Sequence, residues 1–356
     1  LPEIESMKLK LSSRAPIGID ADFSKGRPAA LCAWMAVLIF LFGAAAPAQT
    51  RIAPAPAEPP AAAHEFTDEI GRRVVVPMDV KRIVSLAPNL TEIVFALGDG
   101  DRLAGDTDFC DYPAEAPQKP HVGGPVNPNL EQIVALSPGL VLASKAINRR
   151  ETVEALARLG LPVYVTDPHS VAEMIISVEH LGHVLHADKA VVPLVEDLRA
   201  RLSELGRRLA GAVPRRVLFV VWTDPLVSIG RDTFIADALR RAGARSVVDT
   251  TAEWPRVSLE EIVRLQPEAV VFASAHAGNT RHEIDELRTR PGWRELSALR
   301  RGDIVVISDA INRPAPRMVD AVEQLARALH PESFALRDHQ SERSLHTTEE
   351  ACACAR

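Results

Sequence analysis

No stripe of clustered lysine and arginine runs through this chain, and its formal net charge is −6. Phosphate binding depends on such clusters, so nucleic acid is excluded as a partner class. Cysteine is thin as well. Of the four present, Cys32 stands in an N-terminal apolar run, Cys110 is alone in the body, and Cys352 and Cys354 share the tail. A disulfide framework needs pairs inside the fold, so none is expected. The Cys352-Ala353-Cys354 tail offers two soft ligands without a histidine beside them, a weak metal site. Catalytic signatures are missing too. There is no Gly-x-Ser-x-Gly elbow and no P-loop, and Gly123-Gly124 before Pro125 marks a loop rather than a dinucleotide fingerprint. Cys110 has no base near it in sequence. Neither an enzyme nor a resident cofactor is expected. Aromatic residues make up 4% of the chain, so each ring that falls in a loop is informative.

A membrane-spanning helix needs ~20 apolar residues, and the run at residues 29 to 42 (AALCAWMAVLIFLF) is shorter than that. Lys25 and Arg27 precede it, and small residues ending in Ala46-Pro47-Ala48 follow. A charged lead, an apolar centre and an A-x-A site describe a secretory signal peptide, here residues 1–48, cleaved near Ala48. An uncleaved membrane anchor is the alternative reading. Cys32 lies at the start of the apolar run, a poor place for lipidation.

What remains is ordinary soluble material, with 47% hydrophobic and 25% charged residues. Residues 49–63 form a Pro/Ala linker. The folded body is expected from His64 to Phe334, and residues 335–356, polar and without periodicity, read as a disordered tail. Within the body, short β-branched runs alternate with amphipathic stretches. The runs are Arg82 to Leu86, Leu140 to Ala143, Pro162 to Val165, Arg216 to Val221, Ala269 to Ala273 and Asp303 to Ile307. Such alternation predicts an α/β fold with parallel sheets covered on both faces. The chain also repeats itself: residues 130–138 (LEQIVALSP) are echoed by 259–267 (LEEIVRLQP), and each copy leads into a strand. Two similar Rossmann-like lobes follow, at 64–187 and 213–334. Between them, in the segment 188–212, residues 188–211 read as one helix with Leu194, Leu198, Leu202 and Leu205 at helical spacing. Pro193 marks its first turn or a kink. The stretch spans roughly 35 Å, long enough to bridge two domains. Lobes joined by a stiff helix close through small angles, so the cleft between them is expected to be largely preformed.

Phe66-Thr67-Asp68 with Gly71-Arg72, then Arg82 to Pro88 with Thr91-Glu92, resembles the opening of the class III, helical-backbone periplasmic binding proteins. These serve ABC importers of cobalamin, haem and ferric siderophores, and the likeness covers about residues 66 to 333. Asp111-Tyr112-Pro113, Asn129 to Glu131, Trp254 to Ser258 with Glu260, and Ser308 to Arg317 look closest to the vitamin B12 receptors of that family. The resemblance implies a monomeric periplasmic receptor that binds a cobalt corrinoid between its lobes and passes it to a permease and its ATPase. Haem or a ferric siderophore on the same fold is the nearest alternative. A metal-dependent α/β enzyme would need a polar catalytic cluster or metal ligands in the cleft, and the sequence offers neither clearly.

Ligands collect where loops leave the carboxyl ends of parallel strands. Tyr112, Trp222, Trp254 and Arg313, with its neighbour Asn312, fall in such loops. Rigid aromatic faces suit a large flat macrocycle. By resemblance Tyr112 and Trp254 match aromatic cleft positions, and Arg313 matches a cleft-side arginine able to meet a carboxylate, an amide or a propionate. A packed turn at Tyr112-Pro113 and a core role for Trp222 are the plainer readings. Tyr112 is also the candidate iron ligand if the guest is haem. Pro125 and Ala310 stand where the B12 receptors carry further tryptophans, which implies a roomier or less aromatic pocket there. Asn129 and Ser258 are candidate helix N-caps, with Gln132 and Glu261 completing capping boxes. Glu131 and Glu260 then point outward, and the resemblance makes them the residues that dock on two permease subunits. An acid near a helix start is worth only about 0.3–1 kcal/mol to the helix itself. His180, His183 and His186 invite a metal, but His186 is rotated away from His180 and no H-E-x-x-H arrangement is present, so no metal site is expected.

Overall fold

Apolar runs of this kind must pair their backbones and cover both faces. The computed structural model describes residues 63–274 and 277–335. The signal-peptide reading at 1–48, the linker up to residue 62, Cys32, Cys352 and Cys354 lie outside the described residues. The described residues belong to one compact unit.

An antiparallel hairpin comes first, β1 (Ala63–Thr67) with β2 (Arg73–Pro77). The first lobe then lays down β3 (Ile83–Ser85), α1 (Pro88–Ala96), β4 (Leu103–Gly105), α2 (Leu130–Ala135), β5 (Leu140–Ser144), α3 (Arg150–Arg158), β6 (Val163–Thr166) and α4 (Val171–Val184). Its parallel sheet runs in the order β4-β3-β5-β6. Helix α5 (Asp188–Arg208) leads into the second lobe. There the elements are β7 (Arg215–Val220), β8 (Trp222–Thr223), β9 (Leu226–Val227), α6 (Phe234–Arg241), β10 (Ala244–Ser246), α7 (Leu259–Leu265), β11 (Ala269–Ser274), α8 (Ala277–Leu287), α9 (Ser297–Arg301), β12 (Ile304–Ser308) and α10 (Met318–Leu329). The second sheet, β10-β7-β11-β12, is also parallel and repeats the topology of the first.

The repeat extends to single hydrogen bonds. Arg82 Nε donates to the Leu136 carbonyl at 2.6 Å, and Arg216 Nη2 donates to the equivalent Leu265 carbonyl at 2.5 Å. Each arginine satisfies an orphan carbonyl at the end of α2 or α7. Ser137 and Gln266, at matching places before a proline, both take the left-handed conformation with φ of 46° and 43°. The fold is therefore α/β, two lobes with parallel sheets joined by one long helix.

Helix α5 stops at Arg208, three residues before the predicted end. The Leu209 amide closes on the Leu205 carbonyl, and Gly211 at φ 85° turns the chain out of the helix. Pro193 lies inside the helix, not at its first position; it has no N–H to give the carbonyl one turn back. The buried seam is Val191, Val195, Leu198 and Leu205, while Leu194 and Leu202 are only partly buried against the same core. Gly182 of α4 meets this seam so closely that a β-carbon there would come within 2.5 Å of Val191.

Hydrophobic clusters explain how the lobes are held. One cluster lies outside the first sheet, with Ile133, Leu156 and Val165, and another outside the second, with Ile262, Val270 and Leu299. A third is common to both lobes: Leu90, Ile93, Leu142 and Met174 belong to it with Leu198, Phe219, Leu239 and Val322. Arg201 on α5 adds ion pairs to Asp320 and Glu323 of α10. No helix among the described residues is long and apolar enough to cross a membrane.

Candidate functional site

The loop after β4 is built from its backbone outward. The Asp106 amide donates to the Pro120 carbonyl and the Val122 amide to Asp106, at 3.0 and 2.7 Å. Cys110 is buried, its sulfur 3.2 Å from both Thr91 Oγ1 and Thr107 Oγ1, and burial pushes its thiol up from the ordinary value. Asp106 is fully buried, with Oδ1 2.8 Å from His121 Nδ1 and no partner for Oδ2. Burial drives its carboxyl up to about 6, against the opposing pull of His121. This base carries Phe109, Asp111 and Tyr112 outward, with the two rings 48% and 45% exposed.

Tyr112 lies under the Arg317 guanidinium, 4.0 Å from the ring centroid, a cation–π contact. Arg317 in turn grips Glu92 of α1, with Nε 3.1 Å from Oε2 and Nη2 2.8 Å from Oε1. Arg313 bonds Glu92 Oε1 at 3.1 Å, both oxygens of Asp111, and Asp309 at 3.2 Å. Glu92 and Asp111 belong to the first lobe, Arg313 and Arg317 to the second. The bond from Arg313 holds the Asp111 carboxyl below the usual range. Burial works against the charge on Arg313, and Asp111, Asp309 and Glu92 more than offset it, so its pKa is raised. Within this knot Arg313 and Arg317 are matched by three carboxylates.

The sequence-predicted residues therefore divide. Tyr112 and Arg313 share the knot, and Asn312 is exposed at the end of the short 3-10 turn Asp309–Asn312. Trp222 and Trp254 share a ribbon on the second lobe. Strand β8 pairs with β9, and Val227 of β9 bridges antiparallel to Arg256, with the Ser228 amide on the Pro255 carbonyl at 3.0 Å. Trp222 is exposed, with Nε1 2.8 Å from the Asp224 carbonyl, while Trp254 is half-buried on the shared core. A cavity of about 310 Å³ lies between the lobes against α5, lined by Glu92, Phe95, Tyr112, Leu198, Arg201 and Arg317 among others. Trp222, Trp254, Asn312 and Arg313 do not line it.

Glu131 and Glu260 are exposed at the starts of α2 and α7. Asn129 and Ser258 cap those helices by accepting from the Gln132 and Glu261 amides, at 3.1 and 3.4 Å. The capping box at Asn129 is only half made, because its own amide donates to the Val122 carbonyl. The Ser258 hydroxyl and backbone hydrogen bonding keep Glu260 below the ordinary carboxylate range. His180 and His183 face Glu69 and Asp188, and no group of three or more metal-ligating side chains occurs among the described residues. Glu92 and Arg317, which complete the knot, were not read as site residues from the sequence. Glu92 lies inside α1 and Arg317 just before α10, both in stretches that carry the family resemblance, and nothing local announces their pairing across the lobes.

The model of the periplasmic binding protein family matches residues 83–310, both sheets included. This chain belongs to that family. Such proteins bind substrates for transport and are not enzymes, and this one is the periplasmic binding component of an ABC importer. The vitamin B12-binding protein of Vibrio cholerae is 30% identical over 255 residues, 71% of this chain and 90% of its own length. The crystal structure of the periplasmic vitamin B12-binding protein of Vibrio cholerae matches with a TM-score of 0.63 at 28% identity, covering 70% of this chain and 96% of that one. A periplasmic haem-binding protein from Pseudomonas aeruginosa matches with a TM-score of 0.65 at 26% identity, covering 71% and 94%.

Proposed function

We propose that this binding protein carries a corrinoid, cobalamin or a close relative, in the cleft between its lobes. The charge balance of the inter-lobe knot carries the reading. Every arginine in it is already matched by carboxylates, so it offers no uncompensated positive charge to a propionate or a carboxylate chelator. A large ring system bearing neutral amides needs none. Tyr112, Trp222 and Trp254 supply apolar faces, and Asn312 supplies hydrogen bonds at the rim, while Arg313 is held by Glu92, Asp111 and Asp309. The B12-binding relative in Vibrio cholerae supports the same choice. In the second reading the guest is haem with Tyr112 as iron ligand, which the likeness to the Pseudomonas aeruginosa protein favours.

Delivery follows from docking: Glu131 and Glu260, one per lobe, meet the two permease subunits. The protein reaches the periplasm through a cleaved signal peptide, and mass spectrometry of the mature N-terminus reads the cleavage directly.

Calorimetric titration of the mature protein with cobalamin, cobinamide and haemin tests the ligand. Cobalamin or cobinamide binds at micromolar affinity or better, and Trp254→Ala weakens it. Haemin binding without corrinoid binding transfers the assignment to the second reading. Binding of a small sugar or amino acid alone ends both.

A further inference from the structure

We infer that Phe109 is a ligand-contacting platform of the first lobe, the partner in kind of Tyr112 on the same loop. Its place in the fold carries the inference. Phe109 stands beyond the carboxyl end of β4, 48% exposed, on the loop that also carries Tyr112, where loops leaving parallel strands meet ligands. Its Cε2 lies 3.9 Å from where a β-carbon on Gly124 would sit. A side chain larger than glycine at 124 would begin to fill the space beside the ring.

The strip under the ring is fixed. Asp108 donates its amide to the Gly123 carbonyl at 3.1 Å, and Gly123 takes φ 90°. Asn148, itself buried, donates from Nδ2 to the Pro125 carbonyl at 2.7 Å and to the Leu86 carbonyl at 2.8 Å. Its Oδ1 accepts from the Ser144 amide at the end of β5, at 2.7 Å. One side chain thus ties the Gly123-Gly124-Pro125 strip to the ends of β3 and β5. Phe109 rests on a floor that does not have to be organised when the guest arrives, which lowers the ordering cost of binding.

This inference rests on the tetrapyrrole-type ligand proposed above, because a ring face recognises a flat apolar edge and not a small polar solute. The experiment titrates the mature wild type, Phe109→Ala, Phe109→Leu and Phe109→Trp with cobalamin, cobinamide and haemin, with thermal melts of each protein alongside. For whichever probe the wild type binds, Phe109→Ala weakens affinity about tenfold. Phe109→Trp retains it, and Phe109→Leu falls between. Unchanged affinity in Phe109→Ala with an intact melt overturns the platform and leaves the ligand reading standing. A wild type that binds none of the three probes removes the ligand reading and the platform together.

Discussion

Glu92 accepts hydrogen bonds from Arg313 and Arg317 of the opposite lobe while only about 2% of its side chain remains in water. Removing one partner of a buried ion pair costs more than the pair contributes, because the remaining charge is left uncompensated. Glu92→Ala is expected to lower unfolding stability by about 3 kcal/mol. The low end of that range applies because Arg313 keeps Asp111 and Asp309. Denaturant titration checks it. Asp106 makes the opposite kind of contribution. Burial lifts its folded pKa to about 6, above the ordinary carboxylate value of 3.8, so its share of stability is present below about pH 4 and is lost as pH rises through 6. Relative to Asp106→Asn, the wild type should lose on the order of 2–3 kcal/mol between pH 4 and pH 7.5. A gap between the two proteins that stays constant across that range would refute the assignment. Neither residue was given a role from the sequence, although Glu92 belongs to a stretch that carries the family resemblance. Glu92 meets arginines more than 220 positions away, and a local pattern carries no information about pairings of that span. Tyr112 and Trp254 drew attention as candidates because rings are rare in this chain and theirs fall beside prolines in loops.

The elements themselves were easier. Six apolar runs became parallel strands within a residue or two, since a strand buried on both faces has no polar positions to confuse its pattern. The repeat at 130–138 and 259–267 located equivalent helices in both lobes, down to the left-handed residue before each proline. The hairpins β1–β2 and β8–β9 were not read, their strands being short or exposed on one face. Of the leucines read at helical spacing on α5, Leu198 and Leu205 are buried and Leu194 and Leu202 partly so, while Val191 and Val195 complete the seam and Val191 meets Gly182 of α4. Gly182→Ala tests that contact. The added methyl meets Val191, and overpacking of this kind costs about 1–3 kcal/mol. Val191→Ala in the same chain should recover part of the loss, measured as a shift in the urea midpoint.

At the scale of the whole molecule, the proposed docking residues and the proposed ligand contacts can be tested separately. Glu131 and Glu260 stand at matching helix starts, exposed on each lobe. Glu131→Ala with Glu260→Ala should leave ligand affinity within about twofold, as expected of surface changes away from packed features, while uptake by a reconstituted importer falls. Weakened ligand binding with normal permease association would reverse the assignment.

The hydrophobic cluster common to both lobes has a kinetic corollary. Halves that share one interior cannot swing apart without exposing it, so no slow shutting step follows encounter. In stopped-flow mixing, the observed rate should rise linearly with guest concentration and show no plateau. Affinity would then be decided almost wholly by how fast the guest escapes, and the importer's task would be to pull the two halves off a shape they hold without it.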